Sequence, residues 1–263
     1  MKNNRFFLLA AFAALATTGP AASQAQTQTQ TQVQAQALRL RPDLPPIPTL
    51  EVHRAAVAPR IDGKLDDAAW QAATPVTFAF PWVSQTGKMQ KTLARLTWDD
   101  DNLYVAYECE DSDVTAVRTQ RDDPVYMDDA VEIHIAPPGV KDLYLGFEMN
   151  ARGAMYDYLY PFPQRFIKKY NVEGVRIAVT INGTLNNSAD QDQGWILEVA
   201  IPWSAFSDLA NNPVPRIGDR WLADMSRWDG TAPNRRLSQW SDSGLVRADP
   251  HYPERFGHLL FVN

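Results

Sequence analysis

Two short stretches of this sequence carry side chains able to grip a polyhydroxylated ligand. Over 130–136, Glu132 and His134 alternate with Val131, Ile133 and Ile135. Over 143–150, Tyr144, Glu148 and Asn150 alternate with Leu145, Phe147 and Met149. Carboxylates and an amide pair with hydroxyls, and an aromatic ring lies flat against apolar C–H groups. The same residues also describe an ordinary solvated sheet face, so their chemistry depends on what stands around them.

Acidic loops offer a second chemistry. Asp99 to Asp101, Asp111 with Asp113, and Asp122-Asp123 with Asp128-Asp129 each supply the hard oxygens that calcium takes, although Asp is also common in turns. Glycoside hydrolysis would need two carboxyls about 5 to 9.5 Å apart. Asp128, Asp129, Glu132 and Glu148 are the groups available for it. No HExxH, GxSxG, phosphate-binding loop or GxGxxG stands in a suitable context. His53, His134, His251 and His258 lack zinc-type spacing. Cys109 is the single cysteine, set in an apolar strand pattern, and reads as a small buried hydrophobe.

These groups must be positioned by strands. Leu96 and Trp98 alternate with Arg95 and Thr97, Asp99-Asp100-Asp101-Asn102 supplies a turn, and Leu103, Val105, Tyr107 and Cys109 resume the alternation. That is a hairpin signature. Further strands are expected over 176–181, 195–201, 221–225 and 258–262. Helical pattern is confined to 66–73 and a single turn at 202–206. Many short strands with few helices predict an all-β fold, a two-sheet antiparallel sandwich. Trp70, Trp98 and Trp203 read as core. Trp82 in Phe80-Pro81-Trp82 and Trp228 in Arg227-Trp228-Asp229-Gly230 are candidates for solvent-facing platforms.

The ends set the compartment. Lys2 and Arg5 precede an uncharged apolar run, Phe6 to Thr18, too short to span a bilayer, and Ser23-Gln24-Ala25 offers a cleavage site. Residues 1–25 are therefore expected to be a signal peptide, which implies export to the periplasm or beyond. Residues 26–49, first Gln-rich and then Pro-rich, read as a disordered tether. Residues 50–263 form the expected domain, with no membrane span. A net charge of −6 and the lack of a Lys/Arg cluster exclude a nucleic-acid partner.

Several segments, read in order, resemble the family 9 carbohydrate-binding modules and their wider DOMON-like superfamily. They are Ile61-Asp62-Gly63 through Trp70, Leu96-Thr97-Trp98-Asp99 through Val105, Asp128-Asp129-Ala130-Val131-Glu132-Ile133, and Phe147-Glu148-Met149-Asn150 with Gly153. Gly194-Trp195 through Trp203, Gln239-Trp240-Ser241-Asp242 and Phe256-Gly257-His258-Leu259 complete the series. The resemblance implies a jelly-roll-like sandwich with bound calcium that binds sugar without breaking it. It implies an aromatic clamp on a terminal sugar at Tyr126 and, more loosely aligned, at Tyr252. Polar contacts fall on Glu132 and Asn150. Glu148 stands where the family has a basic contact, so the family's sugar is not carried over. The implied calcium would draw on Asp111, Asp113, Asp128 and Asp129.

The leading function is thus an exported module that binds glycan ends in the service of a separate glycoside hydrolase. A DOMON-like haem domain is the alternative, with Met127, Met149 or Met155 and His134 as axial candidates. A glycoside hydrolase acting through the carboxyls above is the third.

Overall fold

Period-two alternation turns into short strands spread along the described residues. The computed structural model describes residues 39–140, 143–163 and 168–263. The expected signal peptide, residues 1–25, and residues 26–38 of the expected tether lie outside the described residues.

The strands are β1 (Thr49–Arg54), β2 (Val76–Thr77), β3 (Thr92–Trp98), β4 (Asn102–Glu110), β5 (Ala130–Ala136), β6 (Leu143–Asn150) and β7 (Met155–Pro161). They continue with β8 (Lys168–Lys169), β9 (Arg176–Asn182), β10 (Gly194–Pro202), β11 (Arg220–Asp229), β12 (Arg236–Gln239) and β13 (Gly257–Val262). Among the described residues the one α-helix is the five-residue α1 (Ala68–Ala72). The all-β expectation holds.

The strands join in one hydrogen-bonded path, β8-β7-β6-β5-β11-β13-β1-β3-β4-β10-β9, with β2 and β12 at its side. The path curls on itself, because inward residues from its two ends share one core. Val131, Ile133 and Ile135 of β5 and Phe147 and Met149 of β6 pack in the same cluster as Val105 of β4 and Leu197 and Val199 of β10. Each large apolar side chain buried there contributes about 1.5–3 kcal/mol. The Tyr107 hydroxyl of β4 crosses this core and donates to the Glu132 carbonyl of β5 at 3.0 Å. Trp98 and Trp203 are buried in the cluster, as is Cys109.

Trp70 is buried in a smaller cluster with Tyr104 and Ala200. Its indole donates to Glu198 Oε1 at 2.6 Å. The other oxygen of Glu198 accepts the backbone N–H groups of Asp62, Gly63 and Lys64. Gly63 sits at φ +83°, and a Cβ there would come within 2.5 Å of the Thr180 hydroxyl. The Ile61-Asp62-Gly63 opening is thus a backbone loop wrapped around a buried carboxylate.

Two expectations are corrected. The Pro-rich segment is docked from Leu40 onward, ten residues before the expected boundary. Leu40 bridges Leu245, Arg41 pairs with Asp242, and the Pro45 carbonyl accepts from Arg255 at 2.6 Å. The second correction concerns the face opposite the core. β5 is buried along its whole length, and in β6 only Leu143 is even partly exposed. Glu132, His134, Tyr144, Glu148 and Asn150 are all buried. Period two reports which side of a strand a residue takes, but not what later covers that side.

Candidate functional site

The covered face is built on cross-strand pairs. Glu132 of β5 stands opposite Glu148 of β6 and opposite Ser226 of β11. The Ser226 hydroxyl donates to Glu132 Oε2 at 2.6 Å. Tyr158 of β7 lies across Gly146 of β6, where any Cβ would meet its ring at 2.5 Å. Its hydroxyl bonds to Glu148 and lies 3.1 Å from His134 Nε2. His251 stacks on Tyr160 at 4.5 Å and meets the Tyr144 hydroxyl through Nδ1 at 2.6 Å.

Above this floor is a cavity of about 240 Å³ lined by Tyr126, Glu132, Glu148, Trp228, Ala248, Asp249, Pro250 and His251. Tyr126 comes from a 3-10 turn, Val125–Met127, that enters β5. The guanidinium of Arg235 stacks on Trp228 at 4.1 Å.

Burial dominates the electrostatics. It pushes the Glu132 carboxyl up to about 7, against the pull of the Ser226 hydroxyl, the Arg235 charge and the Trp228 indole. It raises Glu148 well above the carboxylate range, and the charge of Glu132 adds to that rise. His134 is lowered well below its ordinary value, first by burial and then by His251. Glu148 Oε2 is buried and has no hydrogen-bond partner.

Four of the expected binding residues, Tyr126, Glu132, Glu148 and Trp228, therefore meet at one cavity. Three do not line it. The Asn150 amide nitrogen donates to the Arg118 carbonyl at 2.9 Å and to Asp128 at 2.8 Å, while its oxygen accepts from Arg152 and Ala154. That is a turn clasp. Tyr252 packs edge-on against Phe162 at 5.7 Å, and its hydroxyl donates to Glu254. The ring that this loop sends to the cavity is His251. Trp82 is buried, not solvent-facing, with its indole donating to the Leu245 carbonyl at 2.8 Å. Asp249 and Arg235 were missed, because the loops that carry them show no periodicity.

The haem candidates are separated. Met149 and Met155 lie in the core, on the far side of β6 and β7 from His134. Met127 is exposed with its sulfur 3.4 Å from Arg118 Nη2.

A second acidic group forms where β4, β5 and β11 end. Asp111, Asp129 and Asp229 each place a carboxylate oxygen within 4.8 Å of the others. Arg227, fully buried, bonds Asp111 at 2.9 Å and Asp229 at 2.6 Å. Burial and the two neighbouring carboxylates push Asp129 up to about 8. Three acids thus face one guanidinium, an excess of buried negative charge that suits a divalent cation. A cleft of about 520 Å³ reaches Asp111, Asp113 and Asp229, and Asp113 Oδ1 is buried without a partner. Of the four expected ligands, Asp111 and Asp129 join this group. Asp113 lies beside it, with its N–H on Asp111 Oδ1. Asp128 is diverted into an ion pair with Arg118 at 2.5 Å. Asp229, not foreseen, completes the set.

The sequence profile described as carbohydrate family 9 binding domain-like matches residues 61–262. The chain belongs to that family. A crystal structure of a Bacteroides uniformis protein superposes with a TM-score of 0.69 at 21% identity, over 82% of this chain and 100% of that one. A family 9 carbohydrate binding module from Caldicellulosiruptor kristjanssonii, in complex with cellotriose, gives 0.58 at 16% identity over 82% and 94%. The same organism's module in complex with glucose gives 0.55 at 16% identity over 80% and 95%. An Acetivibrio thermocellus protein, Exoglucanase XynX, is 28% identical over 151 residues, which is 57% of this chain and 12% of that protein. The chain thus spans about an eighth of that relative's length.

Proposed function

We propose that this chain is an exported module that holds the end of a glycan in the cavity between Tyr126, Trp228 and the 248–251 loop. One observation carries the reading: a pair of buried carboxyls, Glu132 and Glu148, forms part of the wall of a small cavity that also has aromatic walls. Aromatic faces suit the C–H surface of a sugar, and the carboxyls suit its hydroxyls. At about 240 Å³ the cavity is smaller than the roughly 300 Å³ at which drug-sized pockets begin, so it fits one ring better than a run of rings. That favours a chain end over a chain middle.

The leader-like residues 1–25 support export to the periplasm or the medium, and the curled sheet agrees with a sandwich whose two layers are continuous at one edge. Calcium would be held by Asp111, Asp129 and Asp229, with Asp113 beside them. There it would neutralise the surplus acid and tie β4, β5 and β11 together. The Exoglucanase XynX match supports service to a separate glycoside hydrolase. A glycan array probed with the purified protein tests the reading. Retention of free-ended oligosaccharides is expected, and a blank array across neutral, acidic and amino glycans would overturn it.

A further inference from the structure

We propose that the cavity selects an amino sugar, a ring whose amine carries a proton, with Glu132 and Glu148 as the selecting groups. This rests on the carbohydrate reading above and narrows it.

Three acids line the cavity: Glu132, Glu148 and Asp249. Two of them, Glu132 and Glu148, are directly opposed across β5 and β6 and are at most 2% exposed. Ionised, two carboxyls so placed would repel without water to screen them, so burial favours their protonated forms until a cation enters. Glu132 has the Ser226 hydroxyl as a donor, but Glu148 Oε2 has none. An orphaned buried carboxylate oxygen is costly until a ligand supplies a donor.

Among the described residues, the cation whose charge acts on both carboxyls is Arg235, but no hydrogen bond from it to either is seen. Arg235 is stacked on Trp228, and its Nε and Nη2 atoms make no hydrogen bond. A sugar hydroxyl would satisfy the orphan oxygen but would give an ionised Glu132 or Glu148 no counter-charge. An ammonium on the ring supplies both the donor and the charge. The Tyr126 wall acts in the same direction, since an aromatic face attracts a cation within about 6 Å, while Trp228 already carries Arg235 on one face. An N-acetylated ring carries no such charge and loses this advantage.

The experiment is calorimetry on the full chain at about pH 6.5, where an amine of this kind is protonated. The probes are a β-1,4-linked glucosamine disaccharide, its N-acetylated form, and cellobiose. The glucosamine disaccharide is expected to bind at least about tenfold more tightly than the other two. Glu148→Gln is expected to bring the three affinities within about threefold of one another, its fold checked by circular dichroism. Asp249→Asn, on the covering loop, is a second variant expected to shrink the same ratio. Cellobiose binding as tightly as the glucosamine disaccharide would overturn the amino-sugar preference and leave the carbohydrate reading standing. No binding of any of the three, together with a blank glycan array, would overturn both.

Discussion

Glu132 and Glu148 face each other across β5 and β6, both buried; the Ser226 hydroxyl donates to Glu132 Oε2, while Glu148 Oε2 has no partner. Two acids set together away from water are held by the fold at a cost that a ligand can relieve. This arrangement separates residues that bind from residues that brace.

Tyr126→Ala and Glu132→Gln are each expected to weaken glycan binding at least tenfold. The first loses a stacking face, worth about 1 kcal/mol beyond area burial. The second loses a charge-assisted bond, worth about 1.5–3 kcal/mol. Calorimetry with whichever glycan the array retains reads the change. Unchanged affinity in both variants would move the site elsewhere.

Asn150→Ala should behave differently. Its amide bonds Arg118, Asp128, Arg152 and Ala154 at the turn between β6 and β7. Losing a buried partner of this kind costs about 1–3 kcal/mol. Melting should fall by several degrees, while glycan affinity in the folded protein changes less than about threefold. A large loss of affinity at unchanged melting temperature would return Asn150 to the binding site.

Stability should fall with rising pH. The Glu132 carboxyl lies at about 7 in the folded protein against an ordinary 4.5. The folded state therefore holds a proton that the unfolded state releases between those values. Its stabilising contribution is complete below about 4.5 and is lost as pH rises through about 7. Glu148 and Asp224, also raised by burial, act in the same direction. Denaturant melts across this window should show the decline, and Glu132→Gln should flatten it. An equal slope in that variant would remove Glu132 as a source.

Calcium should stabilise the protein through Asp111, Asp129 and Asp229. At a hundredfold excess over the dissociation constant the linkage is worth about 2.7 kcal/mol. Chelator should lower the melting temperature by several degrees, and Asp229→Asn should abolish most of that shift. A chelator-insensitive wild type with no metal by elemental analysis would end the calcium proposal.

The strands and the grouping of Tyr126, Glu132 and Glu148 were legible in the sequence, because alternation and adjacency are local. Val131 and Ile133 turn one way and Glu132 the other whatever the rest of the chain does. Tyr126 enters the same strand from the preceding turn. What covers the outward face was not legible. His251 and Asp249 reach Glu132 and Glu148 from a loop more than a hundred residues further along the chain. No periodic signal marks that loop. The acidic group likewise needs the curl of the sheet, since the Gly230 N–H that holds Asp129, beside Asp229, is 101 residues away. Alternation along a strand is local, so it sets which side chains leave each strand on which side. Which of those sides is sealed depends on pairing between distant strands and loops, and so on the folded chain.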